Sequence, residues 1–303
     1  MPNTFITPET IARQALANLY DQTIMAQLVH RDYDPDFSGK QGDTVMVKRP
    51  PIFEAHEYNR QDGILVQDIT ETKFPVVLNH FADVSVAITT EQLTLELSTF
   101  NETVLNPAME AIAQKIERDL LLLRDDVTAV IGTTASGSET WSDPRVAIDA
   151  DATLTEAAVP MSQRRLVVGP RTGAEWLKDD LLNRADARGD TTGLREASLG
   201  NRLFGFDAYR TNSIKKPAAT TGNPSTEVGL GFHRTAFTLV SRTLDLPRGA
   251  TQAAIQSYRG FALRVVIDYD MDQKSDVLSI DTLYGTKTID ADRAVLIHGD
   301  LVP

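Results

Sequence analysis

The residues of this 303-residue chain that could do chemistry stand far apart or in incomplete patterns. Its five histidines, at 30, 56, 80, 233 and 298, form neither HxxxH nor HExxH, so no helix offers a ready pair of zinc ligands. Asp268, Asp270 and Asp272 begin like a calcium loop, but Gln273 stands where the turn glycine belongs and Ser279 where the closing acid belongs. Their alternation with Val265, Ile267 and Tyr269 predicts a strand with one wet face. Gly169-Pro170-Arg171-Thr172-Gly173 lies between a predicted strand and helix, where phosphates can bind. It lacks both the lysine-serine/threonine ending and the GxGxxG spacing, and reads as a plain turn. Arg188-Gly189-Asp190 spells an adhesion tripeptide without a secretion signal beside it, and is read as a loop tip. No G-x-S-x-G elbow is present, and Glu91, Glu96, Glu102 and Glu110 have no spacing that frames a sugar. With no cysteine, disulfides, thiolate metal sites and a cysteine nucleophile are excluded. The expectation is a protein without catalytic, cofactor or metal residues.

The elements that could position such groups are themselves the stronger signal. Thr7-Pro8-Glu9 starts a helix, and Ile11, Ala15, Leu19 and Leu28 fit one face of it to about Val29. Two strands, Thr44 to Lys48 and Phe74 to Leu78, flank a polar, aperiodic stretch from 52 to 72 and predict a long hairpin projecting from the body. Val84, Val86 and Ile88 alternate as a strand, and a short helix is expected over 90–97. Asn106-Pro107 opens the strongest helix. Met109, Ile112, Ile116, Leu120, Leu123, Val127 and Val130 recur every three or four residues as far as Gly132, a spine of roughly 37 Å. Residues 132–160 read as loops, 165–169 as a buried strand and 172–182 as a helix. Strands are expected at 204–210, 237–240, 261–269, 277–283 and 294–298. The class is α+β.

Net charge is −12, which argues against a surface built to hold nucleic acid by phosphate neutralisation. No basic start with an apolar run of signal length is present, and no apolar stretch approaches the ~20 residues of a membrane span. A soluble protein is expected.

Several stretches resemble coat proteins of tailed phages. They are TPETIARQALANLYDQTIMAQLVHRDYD with GDTVMVKRP, ITTEQLTLEL before the spine, LGNRLFGFDAYRTNSI, GFHRTAFTLVSR, and GFALRVVIDYDMDQKSDVLSIDTLYGTKTI. Their order resembles the Hong Kong 97 fold, nearest the coat proteins of short-tailed enterobacterial phages. That resemblance implies an N-terminal arm at 1–34 and an extended loop at 35–82. It implies a peripheral domain at 83–131 and 260–290 with a spine helix at 107–131, and an axial domain at 132–259 and 291–303. Only 216–229 lies where relatives insert an extra domain, so none is expected. The helix beginning near Thr7 leaves no room for a fused scaffolding segment, which implies a separate scaffolding protein. Lys73 has no matching acid and asparagine for an isopeptide cross-link.

The implied function is a major capsid protein that tiles into an icosahedral shell around the double-stranded DNA of a tailed phage. It would be found in the virion, and in the host cytoplasm during assembly. Ile52, Phe53, Ile64, Leu65 and Val66 would be covered by lying on a neighbouring copy. Charged groups such as Glu54, Glu57, Arg60 and Lys73 would fix register between copies. Partners would be other copies in pentamers and hexamers, a portal protein at one vertex, the scaffolding protein, a decoration protein, and packaged DNA contacted weakly and without sequence specificity, with no membrane and no cofactor. Two alternatives are the shell of an encapsulin-type bacterial nanocompartment and an α/β hydrolase-like enzyme with a cleft in 132–260. A third reading, a secreted adhesion protein, would need a signal peptide.

Overall fold

The computed structural model describes residues 8–31, 44–49, 55–56, 60, 72–88, 105–183, 199, 202–242, 244–249, 252–258, 261–271 and 275–303. Helix α1 is Pro8–Gln22, with Ile11, Ala12, Ala15 and Leu19 buried along one face. The expected single helix to Val29 is interrupted at Thr23 and Ile24, and a short α2 follows at Met25–Leu28. The interruption has a cause: the N–H groups of Ile24 and Met25 turn away from their own helix toward a side chain on another element. Helix α1 packs on its own subunit, against strands of the first sheet and the long helix.

Strands β1 (Thr44–Arg49) and β2 (Thr72–Val77) pair antiparallel from Thr44↔Val77 to Arg49↔Thr72, the hairpin stem expected from the sequence. The first large sheet is antiparallel, in the order β3 (His80–Ile88), β11 (Ser275–Thr288), β10 (Phe261–Asp270), β9 (Gln252–Tyr258). β8 (Phe237–Arg242) pairs with the second half of the 14-residue β11. One face alternates as period two demands: Ala82, Leu263, Val265, Leu278 and Ile280 are buried.

Helix α3, Asn106–Leu122, lies under that face with Met109, Ile112, Ala113, Ile116 and Leu120 buried. The spine expected at 107–131 is therefore shorter, about 25 Å at 1.5 Å per residue. A 3-10 turn at Leu123–Asp126 ends it, and Val127 is already extended. Asp125 and Asp126 would oppose the negative end of the helix dipole, and the chain is needed beyond them as a strand. Asn106 lies within the helix rather than capping it, while Pro107 occupies the first turn as expected.

That strand, β4 (Val130–Ile131), belongs to a second sheet of order β4-β12-β7-β5-β6, with β12 Ala294–Ile297, β7 Gly229–His233, β5 Arg164–Val168 and β6 Asp207–Arg210. Helices α4 (Val146–Glu156), α5 (Pro170–Lys178) and α6 (Asp180–Asn183) accompany it. β7 and β12 are buried at every position, and their neighbours feed two cores. Val167, Leu230 and Phe232 join the core of the first sheet, whereas Leu166, Val168, Val295 and Ile297 pack with α4 and Trp176. Sheet membership thus cuts across the ranges expected from sequence. β8 and β9 come from 132–259 but complete the first sheet, and β4 comes from 83–131 but starts the second. Three features escaped the sequence reading: α4, in a stretch read as loops, and strands β7 and β9.

Candidate assembly surface and the joints that aim it

Of the residues expected to meet a neighbouring copy, Ile52, Phe53, Glu54, Glu57, Ile64, Leu65 and Val66 lie outside the described residues. Arg60 is exposed in a turn, and Ala55 and His56 are exposed. Lys73 lies on β2 in register with Lys48 on β1. The described residues therefore do not bring the expected contact set together. They do describe its root, where the stem joins the body.

At that root Val76 and Leu78 form a small buried cluster with Val240 of β8, against Leu283 and Ile289. The chain crosses β11 so closely at Gly285 that a Cβ there would overlap the Val77 carbonyl. Lys287 Nζ donates to the Pro75 carbonyl at 2.8 Å. Glycine is required here for the close approach of two backbones rather than for an unusual φ.

Just beyond the root, His80 stacks on Tyr284 with ring centroids 5.3 Å apart and planes 20° from parallel. The Tyr284 hydroxyl donates to Asp119 Oδ2 of α3 at 2.5 Å. Lys115 Nζ reaches the same oxygen at 3.3 Å and His80 Nδ1 at 3.4 Å. Burial pushes the Tyr284 phenol well above its ordinary value, and its hydrogen bond to Asp119 and that carboxylate's charge push it the same way.

Two residues earlier, Glu117 is 4% exposed. Its Oε1 accepts the Ile24 N–H at 2.6 Å and the Met25 N–H at 3.3 Å. Its Oε2 accepts the Ser213 hydroxyl at 2.6 Å and the Thr211 hydroxyl at 3.3 Å. One carboxylate thus joins the α1–α2 break, the long helix and the segment following β6. Sequence reasoning passed over it, although a signal existed: Glu117 falls four residues after Ala113 and one after Ile116, inside the apolar stripe.

The groups read from sequence as possible chemistry have structural roles or lie outside the described residues. Glu227 Oε2 accepts the N–H groups of Arg171 at 2.8 Å and Thr172 at 3.1 Å, so a carboxylate of the chain itself occupies the start of α5 where a phosphate would sit. Beside it runs an open groove of about 680 Å³ lined by Trp141, Arg171, Lys215 and Lys216 among others. Asp268 is exposed on β10, Asp270 closes that strand, and Asp272 is not described. Glu110 is exposed and accepts the Gln114 amide, while Glu91, Glu96, Glu102 and Arg188-Gly189-Asp190 are not described. His233 Nδ1 accepts the Thr235 N–H. Burial, then the charges of Arg293 and Arg164, hold its ring below the ordinary imidazole value. Arg164 is itself buried and bonded to Asp151 and to the carbonyls of Val159 and Pro160, which ties β5 to α4. Among the described residues, no group of three or more His, Cys, Asp or Glu could hold a metal ion. No described helix is long and apolar enough to cross a membrane.

No protein-family model matches the chain, and no curated protein matches it. Solved structures do. A structure from Mycobacterium phage Che8 is 20% identical, covers 91% of this chain and 90% of its own, and superposes with a TM-score of 0.63. The capsid structure of the cyanophage P-SCSP1u is 12% identical over 92% and 88% of the two chains, with a TM-score of 0.60. A virus-like particle from Pyrococcus furiosus is 12% identical over 95% and 97%, with a TM-score of 0.51. The correspondence runs through nearly the full length of both partners. The chain has the α+β Hong Kong 97-type capsid fold.

Proposed function

We propose that this chain is the major capsid protein of a tailed phage, a subunit that assembles with copies of itself into an icosahedral shell around double-stranded DNA. The observation that carries this reading is the end-to-end correspondence with phage structures, in which neither partner has a large part left over. A one-domain match would leave the rest of the chain free for another task.

The physical action is tiling. The peripheral domain (83–131 and 260–290) would hold α3 and most of the first sheet, and the axial domain (132–259 and 291–303) most of the second sheet. Residues 1–34 would be the N-terminal arm and 35–82 the extended loop. Cover of the loop's Ile52, Phe53, Ile64, Leu65 and Val66 by a neighbour would be worth ~25 cal/mol per Å² before the entropic cost of association. Repeated weak contacts become cooperative when heterologous interfaces close on rings of five and six. A separate scaffolding protein, a portal at one vertex and a decoration protein complete the proposed set of partners. Weak contact with packaged DNA follows from the net charge of −12. The placement nearest short-tailed enterobacterial phages rests on the sequence patches alone.

Electron microscopy of the full chain, expressed alone and then with the product of a neighbouring phage gene, tests the reading. Closed shells or tubes of uniform lattice are expected. Small closed shells formed by the chain alone around a protein cargo would favour the nanocompartment instead. A monomer under every condition, with turnover of a small molecule, would sink both.

A further inference from the structure

Among the described residues, the first sheet and the helix beneath it are linked to the second sheet by three direct crossings, and all three lie on one side of the second sheet. The chain passes from α3 into β4 through 127–129, from β7 into β8 through 234–236, and from β11 into β12 through 289–293. In the order β4-β12-β7-β5-β6, those crossings occupy three adjacent strands, while among the described residues β5 and β6 have no direct chain connection to the first sheet. Such a sheet can tilt about its linked side, and tilting would open a gap at the β6 edge. Glu117 stands at that edge. Its Oε2 holds Ser213 and Thr211, immediately after β6, and Thr211 is itself tied to β5 through its N–H to the Val168 carbonyl at 3.1 Å. Its Oε1 holds the N–H groups of Ile24 and Met25, which are anchored by buried Met25, Ala26 and Leu28.

We infer that Glu117 is a positioning residue for assembly: it latches the free edge of the second sheet and so sets the angle between the two sheets that fixes shell curvature. The inference rests on the capsid reading above. With strands about 4.8 Å apart, the β6 edge lies about 10 Å from β7, so a 1 Å slip at the latch is a tilt of about 6°. Every copy repeats the same tilt, so a small error is multiplied around the shell.

The test compares particles made by the full chain with those of Thr211→Val/Ser213→Ala, Ser213→Ala alone, and Glu117→Gln, each expressed with the assembly partner. Diameters are measured by electron microscopy and melting temperatures on the purified subunits. The double variant should fold and assemble but lose uniform diameter, giving mixed shells, spirals or tubes. Glu117→Gln should keep uniform diameter, because its carbonyl still accepts the two N–H groups and its amide can donate to the two hydroxyls. Ser213→Ala removes the shorter of the two hydroxyl bonds at a half-buried residue, and carries the test if the double variant does not fold. Uniform shells of unchanged diameter from a folded hydroxyl variant would overturn the inference, including when only the melting temperature falls. Failure of the unaltered chain to close shells would instead remove the capsid reading.

Discussion

Glu117 and Asp119 are two residues apart on α3 and do opposite work. On a helix that spacing turns side chains to different faces. Glu117 is sealed in the core, and the partners it holds there are neutral: two backbone amides and two hydroxyls. Asp119 sits at a wetter boundary and gathers a phenol, an ammonium group and an imidazole. Glu117 joins parts of the body to one another, whereas Asp119 joins α3 to β3 and β11 beside the root of the stem. Fixed neutral donors give a joint that ionic strength hardly touches. The Asp119 joint includes a half-exposed ammonium, and that part of it salt can adjust.

The largest expected effect comes from breaking the sealed joint. Glu117→Ala leaves the Ile24 and Met25 amides and the two hydroxyls without their acceptor in a dry site. About 3–4 kcal/mol of stability should be lost, because buried donors without partners carry their full desolvation cost. A urea or thermal midpoint far below that of the unaltered chain is the expected result. A midpoint within experimental scatter would mean that water or another acceptor already serves those donors.

That joint also shows where reading the sequence stops. The strands at Thr44, His80, Phe261, Ser275 and Ala294 were legible because period-two alternation or a bounded apolar run survives in them. The start of α3 was legible because Pro107 and a stripe of apolar residues mark it. Its end was not. The stripe continues through Leu123, Val127 and Val130, but Val127 is buried and Val130 half-buried from extended backbone, so their helical spacing is coincidental. Helix α4 was hidden because much of its buried face is alanine, with only Val146 and Leu154 as larger anchors. β7, GLGFH, was hidden because it is buried at every position and shows no alternation. Of the expected contact residues, a stem with Lys73 in register opposite Lys48 is what the described strands include. The joints were out of reach because their partners are 92 to 96 residues apart for Glu117 and 165 for Asp119, and no local pattern encodes such pairings.

The stem root should be the next most sensitive place. Gly285→Ala would drive a methyl group into the Val77 backbone, and only displacement of the β2–β3 connection can relieve it. A loss of about 2 kcal/mol is expected from such overpacking. Hydrogen exchange should quicken at the amides of 76–78 while those of 112–121 keep their protection. Equal quickening in both regions would show that the root and the body unfold as one unit.

Tyr284→Phe separates the polar part of the Asp119 joint from its packing, since the ring remains to stack on His80. The lost hydrogen bond to a carboxylate should cost about 1.5 kcal/mol near neutrality. The pH dependence gives a sharper reading. The folded phenol is held well above its ordinary value of about 10, so the unfolded chain releases that proton first as pH rises. The stabilisation is therefore complete below about pH 10 and is lost progressively above it. The unaltered chain should lose stability more steeply above pH 10 than Tyr284→Phe does, so the two curves converge. Parallel curves would place the phenol's acidity at its unfolded value and undo the assignment.

The smallest effect belongs to Lys115, and its smallness is informative. Its ammonium meets Asp119 at 3.3 Å from the helical i,i+4 position, but the side chain is 47% exposed and the bond is open to water. Lys115→Ala should cost about 0.3–0.5 kcal/mol, and that loss should fade as salt is raised. Most of what Asp119 does would then pass through Tyr284, whose hydroxyl is shielded by the sheet. A loss from Lys115→Ala as large as that from Tyr284→Phe, persisting in high salt, would mean the ion pair and not the phenol anchors the stem root. The contrast between a sealed joint and an adjustable one would then have to be redrawn around that lysine.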